Sequence, residues 1–135
     1  MNRRSMLAVS ACFLIDPKLL KSDEEKLRGT WRCVSAEQDE KPARPEFASS
    51  IKLSFEKDGF VWSQDDGEGE RGTFKVDPSN TPMTIDLIFS PGAINRFGIY
   101  QIEGNTLKLC VGAERPSEFA SKLNHARCLW VFKRE

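Results

Sequence analysis

The stretch Ile51-Lys52-Leu53-Ser54-Phe55, then Glu56-Lys57-Asp58-Gly59, then Phe60-Val61-Trp62-Ser63-Gln64 decides the fold. Ile51, Leu53 and Phe55 alternate with polar residues, and Phe60 and Trp62 resume the alternation after the gap. A period of two is the mark of a strand with one buried face. Lys57-Asp58-Gly59 reads as a hairpin turn of the Asp-Gly type. The same reading extends outward. Toward the N-terminus, Thr30 to Ala36 is a strand with Trp31, Cys33 and Ser35 on one face. Toward the C-terminus follow Arg71 to Val76, Met83 to Phe89, Arg96 to Ile102, Thr106 to Val111 and Arg127 to Lys133. Residues 37–50 carry two prolines and read as a loop. Residues 65–70 form an acidic, glycine-rich tip, and 77–82 and 103–105 form turns. Residues 112–126 are irregular, with one helical turn near Ser117 to Ala120.

Eight short strands at regular spacing predict an all-β protein, an eight-stranded antiparallel up-and-down barrel. Closing the sheet removes its edges, and eight strands leave an interior just wide enough for side chains or one small ligand. Ahead of the barrel, Ser22 to Leu27 reads as a short helix. Ser22 with Glu25 three residues on makes a capping box, and Asp23 and Glu24 suit the helix dipole. The barrel domain thus spans 22–135. Residues 1–21 differ in character: a basic start, an apolar run from Met6 to Ile15 broken by Ser10, then Asp16-Pro17. This outline is that of a weak secretory leader. Within it Val9-Ser10-Ala11-Cys12 resembles a bacterial lipobox, with Cys12 as the lipidation site. The other reading is an unprocessed tail, so the compartment, cytoplasmic or cell envelope, stays open.

Composition excludes several classes. The 135 residues hold 20 basic and 20 acidic side chains, whereas a nucleic-acid binder should show a basic excess. The apolar run in the leader is about half a membrane span, so no transmembrane segment is expected. A single histidine excludes multi-histidine metal centres. No cofactor is expected, and nothing identifies a protein partner.

Gly29-Thr30-Trp31, following the short helix, resembles the Gly-x-Trp opening of the lipocalins and fatty-acid-binding proteins, whose tryptophan packs at the closed end of the barrel. Gly72-Thr73-Phe74-Lys75, Val76-Asp77-Pro78, Ile85-Asp86-Leu87, Gly98-Ile99-Tyr100, Gly104 to Cys110 and Arg115-Pro116-Ser117-Glu118-Phe119 together resemble a lipocalin-like domain of unknown function found mainly in planctomycete bacteria. The resemblance covers roughly 26–134 and implies the fold; it implies no activity. A lipocalin also sets a late basic residue over the tryptophan, which here means Arg134 or Lys133. The Arg-x-Tyr anchor of the fatty-acid-binding proteins is missing, because Arg127 is followed by Cys128 and Leu129.

Chemistry is sparse. Gly67 to Gly72 matches G-x-G-x-x-G, but a strand follows where a phosphate site needs a helix N-terminus. Asp65, Asp66, Glu68 and Glu70 fit no calcium-loop spacing. His125 has no recognisable nucleophile near it, and Asp77 and Asp86 read as a turn residue and an outward strand residue. No enzyme is therefore expected. Cys33, Cys110 and Cys128 read as buried thiols, with a Cys33–Cys128 disulfide as the alternative in an exported protein. Trp31, Phe55, Phe60, Trp62, Phe74 and Trp130 are expected to face inward. They either fill the barrel or line a cavity for a small apolar or amphipathic ligand. Arg115 either anchors an anionic head at the mouth or pairs with Glu118. Two functions stay in view: a small binding module with Trp31, Phe55, Trp62, Phe74, Arg115 and Trp130 as candidate ligand residues, or a filled structural or interaction barrel.

Overall fold

The structure, a computed structural model, describes residues 22–65, 67, 69–90, 95–122 and 126–135. Cys12, Asp66, Glu68 and His125 lie outside them, as does the leader. Helix α1 (Asp23–Leu27) leads into β1 (Gly29–Gln38), a two-residue strand β2 (Lys41–Pro42) and helix α2 (Pro45–Ser49). Seven strands follow: β3 (Ile51–Phe55), β4 (Phe60–Gln64), β5 (Glu70–Asp77), β6 (Thr84–Ser90), β7 (Asn95–Glu103), β8 (Thr106–Gly112) and β9 (Arg127–Arg134). Every neighbouring pair from β3 to β9 is antiparallel, and β1 closes the circle by pairing with both β3 and β9. The protein is an all-β, eight-stranded closed antiparallel barrel, with β2 as a short appendix to β1.

The alternation sets which side chains enter. Ile51, Leu53, Phe55, Phe60, Ile85, Leu87, Leu107, Leu109 and Phe132 are all buried in one core with Trp31 and Cys33. Edge-on aromatic pairs tie distant strands together: Phe55 with Phe74 at 4.9 Å between centroids, and Phe60 with Phe89 at 5.0 Å. Such pairs add to the area each ring buries. Gly72 lies where a Cβ would meet the Ile88 carbonyl oxygen at 2.1 Å and the Phe60 ring at 2.9 Å, so only glycine fits there.

The floor of the barrel is built around Trp31. α1 is too short to be stable alone, and its end is held by side chains from the sheet. The capping box forms as expected, with Ser22 Oγ accepting from the Glu25 amide and Glu25 accepting from the Ser22 amide. Trp31 Nε1 donates to the Leu27 carbonyl at 2.8 Å. Arg134 donates to the Arg28 carbonyl at 2.8 Å and the Lys26 carbonyl at 2.5 Å, while its guanidinium lies 4.1 Å above the Trp31 ring. Arg134 is thus the basic residue over the tryptophan; Lys133 faces outward and donates to Thr106 Oγ1. These donors satisfy carbonyls that the helix end leaves open. Gly29, at φ +118, takes the left-handed turn between helix and strand, and a Cβ there would sit 3.1 Å from the Arg134 guanidinium. Tyr100, buried in the core, donates to Asp23 and fixes α1 from the β7 side.

Two expected loops hold defined structure over their described residues. Residues 37–50 contain a two-residue hairpin and α2. Asp39 and Glu40 both have positive φ, 53 and 64, which gives the turn the twist that adjacent strands require. Pro45 stands at the start of α2, where a missing amide is harmless. β1 pairs with β3 over only four residues, and a register shift between Cys33 and Ser35 then carries it along β9 alone. α2 packs against β1 and β3 and buries Ala48. The second segment, 113–122, is not helical near Ser117 to Ala120. It runs as a strap over the outer face of β7 and β8, which is why outward-facing Ile99 and Cys110 are buried. Cys110 Sγ lies 3.6 Å from the Ala120 carbonyl oxygen. Ser121, itself buried, donates to Glu37 at 2.7 Å and accepts from the Glu40 amide at 2.9 Å.

Candidate functional site

Above the filled floor the barrel opens into a cavity of about 640 Å³, lined by Gln38, Trp62, Glu70, Leu87, Phe89, Arg96, Val111, Ala126, Cys128 and Trp130. Its position follows from the strands. The lining residues come from the C-terminal ends of β1, β4, β6 and β8 and the N-terminal ends of β5, β7 and β9. In an up-and-down barrel those ends share one rim, opposite the end that α1 closes. The base of the cavity is a tryptophan pair. Trp62 on β4 and Trp130 on β9 meet across the interior, 4.9 Å apart at an angle of 81°, and both touch the buried Phe132 ring below. Leu87, Phe89 and Val111 form apolar walls, and Gln38 and Glu70 stand exposed at the rim.

The six expected inward aromatics therefore divide by level. Trp62 and Trp130 line the cavity. Trp31 and Phe55 lie in the filled floor with Phe60, and Phe74 packs on Phe55 rather than on the opening. The interior is neither wholly filled nor wholly hollow: the lower half is packed, and the upper half is open.

Arg115 is not a mouth residue. It lies on the strap, outside the sheet, and donates to Asp86 Oδ1 at 2.6 Å and to the carbonyls of Gly98 and Ile85 at 2.8 and 3.3 Å. Its guanidinium also rests 5.6 Å from the Phe97 ring centroid. Asp86 faces outward, because Ile85 and Leu87 on either side of it are buried. Glu118, the expected partner of Arg115, pairs with Lys122 at 3.0 Å, four residues along the strap. Arg115 thus holds the strap down and is corrected from a ligand residue to a structural one.

The Cys33–Cys128 disulfide is also corrected. Both cysteines face inward, but Cys33 is opposite Phe132 and Cys128 is opposite Gln38. Four residues of β9 separate those levels, about 13 Å at strand rise. A disulfide needs Cα atoms within about 7 Å. Cys33, Cys110 and Cys128 are free. Cys128 alone of these opens on the cavity. Burial pushes its thiol up, against the pull of the Arg96 charge.

Arg96 is a functional candidate that the residue-type reading passes over, and Glu70 enters that reading only as part of the acidic tip. The signal was present: Arg96 alternates with Gly98, Tyr100 and Ile102 on the inner face of β7, and Glu70 alternates with Gly72, Phe74 and Val76 on that of β5. Arg96 sits opposite Leu87 and is half-buried. Glu70 stands two strands away, opposite Trp62, at least roughly 10 Å from Arg96 across the sheet, and the two do not pair. Among the described residues no cluster of three or more His, Cys, Asp or Glu is placed to hold a metal ion, and no helix is long and apolar enough to cross a membrane. Compared with known protein families, curated proteins and solved structures, the chain finds no match.

Proposed function

We propose that the protein is a non-enzymatic binding module that holds one small apolar or amphipathic ligand in the upper half of its barrel. The single observation that carries this reading is the 640 Å³ cavity standing on the Trp62–Trp130 pair. Its size falls in the range of small-molecule sites, and its make-up of apolar walls with a few polar groups is theirs too. A tryptophan face offers a large apolar contact with little rotamer freedom to lose. Binding is favoured over catalysis by the cavity's own chemistry. The thiol of Cys128 is held in its protonated, poorly nucleophilic form by burial.

The test is a titration with the neutral apolar dye N-phenylnaphthylamine, excited through tryptophan. A saturable signal at one dye per protein, weakened about tenfold or more in Trp62→Leu, is the expected result; loss of a buried aromatic contact of this kind corresponds to about 1.4 kcal/mol or more. A folded protein that gives no saturable signal at tens of micromolar dye is a filled barrel, and the proposal fails.

A further inference from the structure

Two charged side chains line the cavity, Glu70 exposed at the rim and Arg96 half-buried in the wall. Its strand alternation turns it inward, and Leu87, with which it pairs across β6 and β7, is buried. A guanidinium does not lose its charge at any physiological pH. Among the described residues no carboxylate lies within ion-pair distance of it: the ion pairs of the chain use Arg32, Arg115 and three lysines, all on other surfaces. Its titratable neighbour in the cavity, Cys128, is a thiol and offers no counter-charge at neutral pH. Glu70, opposite Trp62 in the β4–β5 pairing, is exposed, and water screens it. The cavity therefore has an apolar base, apolar walls, the Glu70 carboxylate at its rim and one fixed cation that has no ion-pair partner among the described residues, although the Asp39 charge also reaches Cys128.

Resting on the binding-module reading above, we infer that the ligand is an amphiphile with a carboxylate-type head, its apolar body on the Trp62–Trp130 pair and its head on Arg96. The planar fork of a guanidinium matches two carboxylate oxygens, and charge-assisted bonds of this kind are stronger where water is partly excluded. The same position repels a cationic head. Arg96 is the second residue of β7, at the strand end that belongs to the open rim, so a head bound there remains close to the mouth.

The experiment compares three probes of one chain length, decanoate, decanol and decyltrimethylammonium, by calorimetry and by tryptophan emission, on the wild-type protein and on Arg96→Gln and Arg96→Lys. Decanoate is expected to bind about tenfold tighter than decanol, the effect of one charge-assisted contact. Arg96→Gln should remove that advantage and leave decanol within about twofold; Arg96→Lys should keep most of it; and added salt should weaken decanoate alone. Circular dichroism and the urea midpoint establish that each variant is folded. Decanoate binding no tighter than decanol, or the cationic probe binding tightest, overturns the inference while leaving the binding module standing. Failure of all three probes, together with failure of the neutral dye, overturns both.

Discussion

Replacing Trp31 by alanine removes the side chain around which the closed end is assembled. Trp31 is fully buried, and a tryptophan buries roughly 200 Å², worth about 5 kcal/mol at ~25 cal/mol per Å². Alanine keeps a part of that, which brings the expected loss into the range of about 3–5 kcal/mol seen for large aromatic truncations. The Leu27 carbonyl also loses its donor, adding about 1 kcal/mol. Arg134 keeps its two carbonyl partners, so only its contact with the ring is lost. The total is about 4–6 kcal/mol, close to the whole stability of a small domain. Trp31→Phe keeps most of the ring and removes the N–H, with an expected loss of about 1–2 kcal/mol. Urea unfolding followed by far-ultraviolet circular dichroism is the assay, since tryptophan emission itself changes in these variants. A loss below about 1 kcal/mol for Trp31→Ala refutes the reasoning. So does an equal loss for Trp31→Phe, which would assign the whole effect to one hydrogen bond.

Thiol labelling separates the three cysteines. In a Cys12→Ser background Cys128 should react with iodoacetamide, faster as pH rises because burial holds its thiol up, while Cys33 and Cys110 stay blocked in the folded state; Cys33 reacting at the rate of Cys128 would mean the cavity is misplaced. Tyr100 predicts a loss of stability in alkali. Burial and the bond to Asp23 raise its pKa above the ordinary 10.0, so its neutral form favours the fold, the benefit is complete below that value and fades as pH climbs beyond it. The urea midpoint should fall more steeply above about pH 10 in the wild type than in Tyr100→Phe, and parallel falls would show that other groups are responsible.

The strands were legible because their cause is local. β3 and β4 begin and end where the alternation places them, but the turn between them is a four-residue loop closed by the Glu56 amide on the Gly59 carbonyl, with positive φ at neither Asp58 nor Gly59. α1 was legible from Ser22 and Glu25 for the same reason. Residues 37–50 were not: Pro45 argues equally for a loop and for a helix start, and α2 has no side-chain cap to mark it. The site was legible only in part. Alternation tells which face a residue occupies but not its height in the barrel, so Trp31, Phe55 and Phe74 look like Trp62 and Trp130 until register separates floor from cavity. Arg115 depends on Asp86, 29 residues away, and no local pattern carries that pairing. Arg96 is on the inner face by the same alternation that places Tyr100, and the hollow upper half is what admits its charge.

The closure of β1 on β9 also decides how the molecule can be held. Trp31 lies opposite Arg134, and the Glu135 amide bonds the Thr30 carbonyl, so both ends of the barrel's chain emerge side by side at the base. A linker, surface tether or fused domain joined at residue 22 or residue 135 hangs from that base like a stem. The opening then points away from whatever the stem is fixed to, and an immobilised copy presents its mouth to the solution from either terminus.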